Sequence, residues 1–150
     1  MGVVVSRAEF SFQVRVYYED TDAGGIVYYA NYLKFFERAR TEWFRELGVD
    51  QAQLLAQNIA FVVRHVEMDN RRAAKFNQLL TITSRISQLK KASLIFQQTL
   101  TLADGLAHGI DNLAEQTICT AQFKVACIDN QKMKPIPIPL NIIEVLEVVR

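Results

Sequence analysis

The sequence is poor in the residues on which several classes of protein depend. It has two cysteines, two histidines and three prolines in 150 residues, and its formal net charge is +1. With His65 and His108 as its histidines, it lacks the usual ligand spacings of a zinc site. A charge near zero gives no electrostatic footprint for nucleic acid or an anionic membrane. No apolar run approaches the roughly 18 residues of a membrane span. These absences predict a soluble globular protein without a structural metal, a membrane span or a nucleic-acid partner.

The two cysteines also exclude a disulfide if they share one strand, as the pattern around them predicts. Cys119 and Cys127 are eight positions apart, which is about 26 Å in an extended strand. A disulfide needs Cα atoms within about 7 Å. We therefore expect two unpaired core residues, and a cytoplasmic location follows because free thiols persist in a reducing compartment.

Several catalytic patterns are missing as well. There is no G-x-S-x-G sequence and no phosphate-binding glycine motif. His65 lies in a predicted strand, where we expect it to be partly buried and bonded to a neighbour, and we expect His108 to be solvated in a loop.

A length of 150 residues predicts one domain, residues 1–150.

What the sequence does contain is a clear order of strand and helix patterns. Alternation predicts a first strand over residues 10–18, and aromatic residues spaced three and four apart predict a long amphipathic helix over 29–47, ended by Gly48. Because consecutive strands without crossovers pair antiparallel, this order predicts an α+β fold with a sheet covering the helix. The remaining predictions are a short helix at 51–57, strands at 60–69, 79–87, 92–103 and 113–129, unpaired proline-containing chain at 133–140, and a terminal helix at 141–149.

The stretch YEDTDAGGIVYYANY, residues 18–32, lies between the first strand and the long helix. Asp20 and Asp22 leave the strand on the same side if the chain stays extended. Gly24 and Gly25 permit positive φ, and the helix begins with N–H groups that lack intrahelical partners. Two interpretations are open from these residues alone. The stretch is either a turn whose acids cap the helix, or a site in which a carboxylate and helix N–H donors act on a carbonyl group.

A long match to a known family favours the second interpretation. The segments that carry it are VYYEDTDAGGIVY (16–28), ANY (30–32), FERARTE (36–42), AFVV (60–63), AAK (73–75), VACID (125–129) and KMKP (132–135). In these segments the sequence resembles the hotdog-fold acyl-CoA thioesterases, most closely the YbgC-type enzymes encoded with the bacterial Tol–Pal envelope system and more distantly 4-hydroxybenzoyl-CoA thioesterase. The likeness runs from about residue 10 to residue 140.

The resemblance implies a curved antiparallel sheet around a central helix, and it implies a site. In it, Asp22 is the catalytic carboxylate, as nucleophile or general base, and the backbone N–H of Tyr29 polarises the thioester carbonyl. It further implies homodimers or homotetramers with active sites at subunit interfaces, and no metal or prosthetic cofactor. By the same resemblance, the positions at which family members place basic residues for coenzyme A phosphates are occupied here by Lys90, Lys91, Lys132 and Lys134.

Two other functions are weighed against hydrolysis. One is a hotdog hydratase or dehydratase acting on β-hydroxyacyl thioesters, which would use a histidine near the helix. The other is a non-catalytic acyl-thioester-binding or scaffold subunit linked to cell-envelope biogenesis. YbgC-type sequences usually carry histidine where Tyr29 stands, whereas the hydroxybenzoyl-CoA branch has tyrosine. The resemblance therefore leaves the acyl group open.

Overall fold

A computed structural model describes residues 9–103 and 116–150, and it shows one antiparallel sheet around a central helix. The strand order is β1-β3-β4-β5-β2, and a short strand, β6, pairs with the end of β5. The predicted α+β class and hotdog-type architecture are confirmed. The elements are β1 Phe10–Arg15, α1 Asn31–Glu46, α2 Gln51–Ala56, β2 Ile59–Asn70, β3 Leu79–Leu89, β4 Ser93–Leu102, β5 Thr117–Asp129, β6 Lys134–Pro135 and α3 Leu140–Val149.

Helix α1 carries an aromatic face that the sheet covers. Trp43 stacks on Phe10 of β1 with ring centroids 5.9 Å apart, and Phe36 lies 5.4 Å from Phe123 of β5. Burying each such side chain contributes roughly 1.5–3 kcal/mol, so this face fixes the helix against the sheet. The α1 residues buried in the core are Tyr32, Phe35, Phe36, Ala39, Trp43 and Phe44.

The helix begins two residues later than predicted. The predicted start at residue 29 is wrong, because residues 28–31 form a turn in which the Asn31 N–H donates to the Tyr28 carbonyl at 2.8 Å. Ala30, the N-cap, offers no side-chain acceptor, so no capping signal marks the start. At the other end the prediction is confirmed: Gly48, directly after the C-cap, has φ +81°, the conformation for which glycine is suited.

The first strand also ends earlier than predicted. β1 stops at Arg15, and a 3₁₀ turn, Tyr18–Asp20, follows. Tyr18 therefore does not extend the row of β1 side chains that faces the core, and the residue is 81% exposed. Because the chain turns here, it does not stay extended, so the condition under which the two acids would share one side is not met: Asp20 is buried and Asp22 is exposed.

His65 bonds to a neighbour as expected, since its Nε2 lies 3.3 Å from Glu67 Oε1, but it is exposed rather than partly buried. The proline-containing segment is not wholly unpaired, because Pro135 pairs with Ile128. The predictions for His108 and for residues 113–115 lie outside the described residues.

Both cysteines lie on the inward face of β5. They are unpaired and buried, which confirms the core assignment. Burial raises the pKa of the Cys119 thiol to about 12 and also raises that of Cys127. Neither thiol is therefore suited to nucleophilic chemistry.

The core also contains a polar network centred on Gln98 of β4. The Gln98 side chain is 1% exposed, and its Nε2 donates to the Phe36 carbonyl at 3.1 Å and to Ser84 Oγ at 2.8 Å. Its Oε1 accepts from Arg40 Nη1 at 2.9 Å, and the same guanidinium lies 4.3 Å from the centre of the Phe123 ring. Burial lowers the pKa of the Arg40 guanidinium to about 10, because desolvation disfavours its charged form.

Replacing Gln98 with leucine is expected to lower the free energy of unfolding by about 3 kcal/mol, because the buried Ser84 hydroxyl and the Arg40 guanidinium both lose their bond to the Gln98 side chain. Urea denaturation measures the change. Gln97→Leu is the matched control, since Gln97 is the next residue and lies on the other face of β4, where we expect a change within about 0.5 kcal/mol. Equal stability of the Gln98 variant and the wild type would show that the network contributes nothing.

Candidate functional site

Asp22 lies in a tight turn that its own carboxylate stabilises. Its Oδ1 accepts from the N–H of Gly24 at 2.8 Å and of Ile26 at 3.4 Å, and its main-chain N–H donates to the Ile26 carbonyl at 2.9 Å. Gly25 has φ +76°, so the turn needs glycine at that position. Among the described residues Oδ2 accepts no hydrogen bond, which leaves one carboxylate oxygen available on an exposed side chain.

Asp20 has a structural role instead. Its Oδ2 accepts from the Tyr17 N–H at 2.8 Å, and its main-chain carbonyl accepts from Asn31 Nδ2 at 2.9 Å and from the Tyr28 N–H at 3.3 Å. These bonds connect the 3₁₀ turn to the first residue of α1. Asp20 therefore fixes the turn of Asp22 relative to the start of the helix.

Two main-chain donors at that start are unused. In residues 9–103 and 116–150, no hydrogen bond engages the N–H of Tyr29 or of Ala30. Both precede the first turn of α1, where the helix dipole adds a partial positive charge. A carboxylate with a free oxygen and two free N–H donors thus lie on one continuous segment, and these are the kinds of group that acyl transfer uses.

An aromatic surface surrounds this segment. Tyr18 contacts Phe76 edge to face with ring centroids 5.8 Å apart, and Tyr28 lies 5.2 Å from Tyr29. Apolar surface next to polar groups is typical of a ligand site or an interface. The large apolar side chains exposed here are Tyr17, Tyr18, Ile26, Tyr28, Tyr29, Leu33 and Phe76.

Phe76 belongs to a segment that the sequence did not assign to the site. Its N–H donates to the Gly25 carbonyl at 3.1 Å, and Lys75 forms a β-bridge with Ile26. The Val27 N–H donates to the Ala74 carbonyl at 2.8 Å, so residues 74–76 run beside the Asp22 turn. The AAK segment at 73–75 carries part of the family resemblance, but nothing in its local sequence indicates that it lies beside the Asp22 turn.

The four predicted phosphate-binding lysines are not brought to Asp22 within one chain. Lys90 and Lys91 lie in the turn between β3 and β4, and Lys132 and Lys134 lie near the end of β5. Asp22 is near the beginning of β3, and the ten steps of that strand span roughly 33 Å. These lysines are therefore at the far end of the sheet from the carboxylate.

The glutamates of α1 have ordinary helix partners. Glu42 pairs with Arg45 at 3.2 Å. Glu37 instead accepts a hydrogen bond from Thr41 Oγ1 at 3.3 Å, and no ion pair involves it among the described residues.

Within residues 9–103 and 116–150, no group of three or more histidine, cysteine or acidic side chains could hold a metal ion. No described helix is long and apolar enough to cross a membrane.

An antiparallel sheet wrapped around one long helix is the architecture of hotdog-fold proteins. Comparison with known families agrees, since a model described as the thioesterase-like superfamily matches residues 16–147. An acyl-CoA thioesterase YbgC of Haemophilus influenzae is 47% identical over 134 residues, which cover 89% of this chain and 90% of that protein. The chain belongs to the YbgC acyl-CoA thioesterases of this superfamily.

Solved structures support the same placement. A probable thioesterase from Bartonella henselae is 38% identical with a TM-score of 0.71, covering 88% of this chain and 99% of that one. An Asp-to-Asn variant of 4-hydroxybenzoyl CoA thioesterase, solved with 4-hydroxybenzoyl CoA, superposes with a TM-score of 0.80 over 93% of this chain and 99% of that one. At 19% identity this second likeness shows the fold alone.

Proposed function

We propose that this protein hydrolyses an acyl-CoA thioester to the free acid and coenzyme A, with Asp22 as the catalytic carboxylate. The observation that carries the proposal is the Asp22 turn. One carboxylate oxygen holds the turn through the Gly24 N–H, and the other accepts no hydrogen bond among the described residues, on the same segment as the unused N–H groups at the start of α1. The named activity of the Haemophilus influenzae relative supports the same reaction.

In the proposed reaction the thioester oxygen accepts a hydrogen bond from the Tyr29 N–H, where negative charge develops. As general base, Asp22 takes a proton from water while the water oxygen bonds to the acyl carbon. The tetrahedral intermediate then collapses, the C–S bond breaks, and the proton passes to the departing sulfur. As nucleophile, Asp22 would itself form the new bond, and water would cleave the resulting anhydride.

A panel of aliphatic and aromatic acyl-CoAs, followed by thiol release, tests the activity. Turnover of at least one thioester is expected. Hydration or dehydration of a β-hydroxyacyl thioester without thiol release would favour the hydratase alternative. Binding of acyl-CoA with no reaction at all would favour the non-catalytic scaffold.

We further propose a cytoplasmic homo-oligomer, a dimer or tetramer whose active sites are completed at subunit interfaces, serving the Tol–Pal envelope system as the resemblance implies. The exposed aromatic surface around Asp22 supports an interface there. β2, an edge of the described sheet, is a second candidate contact, because Val63 is 44% and Val66 38% exposed on it. An unpaired edge with apolar side chains is suited to pairing with another chain.

The protein is expected to sediment as a dimer or larger, and Val66→Lys is expected to shift it toward monomer with loss of thioesterase activity, because it places a charge at the proposed contact. Analytical ultracentrifugation at several concentrations measures the shift. Val148→Lys on α3 is the control, since Val148 is 62% exposed but distant from β2 and should leave the assembly unchanged. A wild-type monomer with full activity would refute the proposal.

A further inference from the structure

We propose that Arg72 and Lys75 bind the phosphate groups of the coenzyme A substrate on the same chain that supplies Asp22. The inference rests on the proposed acyl-CoA hydrolysis and adds a binding site to it. It concerns the segment between β2 and β3, which the sequence assigned no role.

Hydrogen bonds hold this segment against both the Asp22 turn and helix α1. The N–H groups of Arg71 and Arg72 donate to the Ile118 carbonyl at 2.8 and 3.2 Å. The Ala74 N–H donates to the Tyr32 hydroxyl at 2.9 Å, and Ala74 is fully buried. Burial raises the pKa of that tyrosine, so the hydroxyl stays protonated as a structural partner. Arg72 and Lys75 therefore project from a fixed support rather than from a free loop.

The two cations are free to bind a ligand. Arg71 pairs with Asp69 at 3.1 Å, which partly neutralises it. Arg72 and Lys75 are exposed, and the part of the chain that the structure describes provides no carboxylate partner for either side chain. The formal net charge of the whole protein is only +1, so the two exposed positive charges of Arg72 and Lys75 do not simply reflect an excess of basic residues in the sequence.

The reach of coenzyme A matches this position. Roughly thirteen bonds separate the thioester sulfur from the first phosphorus, a length equal to four or five extended residues, or about 15 Å. Lys75 bridges Ile26, which in turn bonds to Asp22, so its backbone is about two strand spacings, roughly 10 Å, from that of Asp22. Lys90 and its neighbours lie roughly 33 Å away on the same chain, along β3, so they could contribute only from another subunit.

The side-chain chemistry also fits. A guanidinium offers paired N–H donors that match two phosphate oxygens, and an ammonium adds a compact charge. An arginine and a lysine three residues apart can thus bind a pyrophosphate or a ribose phosphate without a bound metal.

The test is the double variant Arg72→Gln/Lys75→Gln, assayed with an acyl-CoA and with the N-acetylcysteamine thioester of the same acid, which lacks all phosphates. We expect KM for the acyl-CoA to rise about tenfold or more with kcat nearly constant, as charge-assisted hydrogen bonds are lost. The kcat/KM for the phosphate-free thioester should change less than twofold. Adenosine 3′,5′-diphosphate should inhibit the wild type competitively and the variant about tenfold more weakly.

Arg150→Gln is the control for loss of a surface charge, because Arg150 is exposed at the end of α3. An unchanged KM for acyl-CoA in the double variant would overturn the inference, and so would an equal loss with both thioesters, which would indicate a damaged site. Arg72→Lys, which keeps the charge, should recover part of the binding. If the wild type hydrolysed no acyl-CoA, the proposed function would fail, whereas calorimetric binding of adenosine 3′,5′-diphosphate to wild type and variant would still decide this inference.

Discussion

Asp22→Asn is expected to lower the turnover of acyl-CoA by at least about 10²-fold, the usual contribution of a positioned general base. The substitution is conservative for the structure. An asparagine oxygen can still accept from the Gly24 N–H, now 2.8 Å from Oδ1, so the turn is retained. What is lost is the negative charge and the basicity of the second oxygen. Steady-state thiol release, with the melting temperature measured alongside, separates this loss from unfolding.

Glu19→Gln is the matched control for the Asp22 variant. Glu19 is an exposed acid three residues away, and no hydrogen bond of the described residues uses its side chain. Its neutralisation should leave turnover within about twofold of wild type, since surface changes of this kind have small effects. If Asp22→Asn turned over as fast as Glu19→Gln, neither the nucleophile nor the general-base mechanism could hold.

The fold was largely predictable because its signals are periodic. The three- and four-residue spacing of Phe35, Phe36, Ala39 and Trp43 predicts a helix with one buried face, and that face is buried. The errors lie at boundaries, where periodicity carries little information. Ala30 gives no cap signal for the helix start, and Tyr18 continues the strand alternation although hydrogen bonds close a 3₁₀ turn there.

The proposed site could be predicted from the sequence only where it is contiguous. Asp22 and Tyr29 stand seven residues apart, so both fall on the one segment between β1 and α1. Arg72, Lys75 and Phe76 reach the same place through hydrogen bonds to residues about forty or more positions away, such as Tyr32 and Ile118. No local pattern reports such contacts, and the lysines implied by the resemblance lie at the other end of the sheet.

Tyr29→Pro is expected to lower kcat by about 10²–10³-fold, because it removes the one main-chain donor proposed for the oxyanion. The backbone can accept proline at this position. Residues 28–31 form a turn closed by the Asn31 N–H and the Tyr28 carbonyl, and Ala30 has φ −63° and ψ −22°. Tyr29 is the second residue of that turn, where proline is favoured, and its N–H has no partner to lose among the described residues.

Tyr29→Ala and Tyr29→His complete the experiment by changing the side chain while keeping the N–H. Both should retain kcat within about tenfold, and their effects should appear as altered preference among acyl groups, since the exposed ring lies in the aromatic surface around Asp22. Loss of activity in Tyr29→Ala equal to that in Tyr29→Pro would assign the role to the phenol ring and exclude the backbone donor. Full activity in Tyr29→Pro would move the oxyanion contact to the neighbouring N–H of Ala30, which is also unused within the described chain. In both cases the proposed reaction keeps to the segment between Asp22 and α1, because the Asp20 carbonyl, which accepts from Asn31 and Tyr28, ties that segment to the helix start.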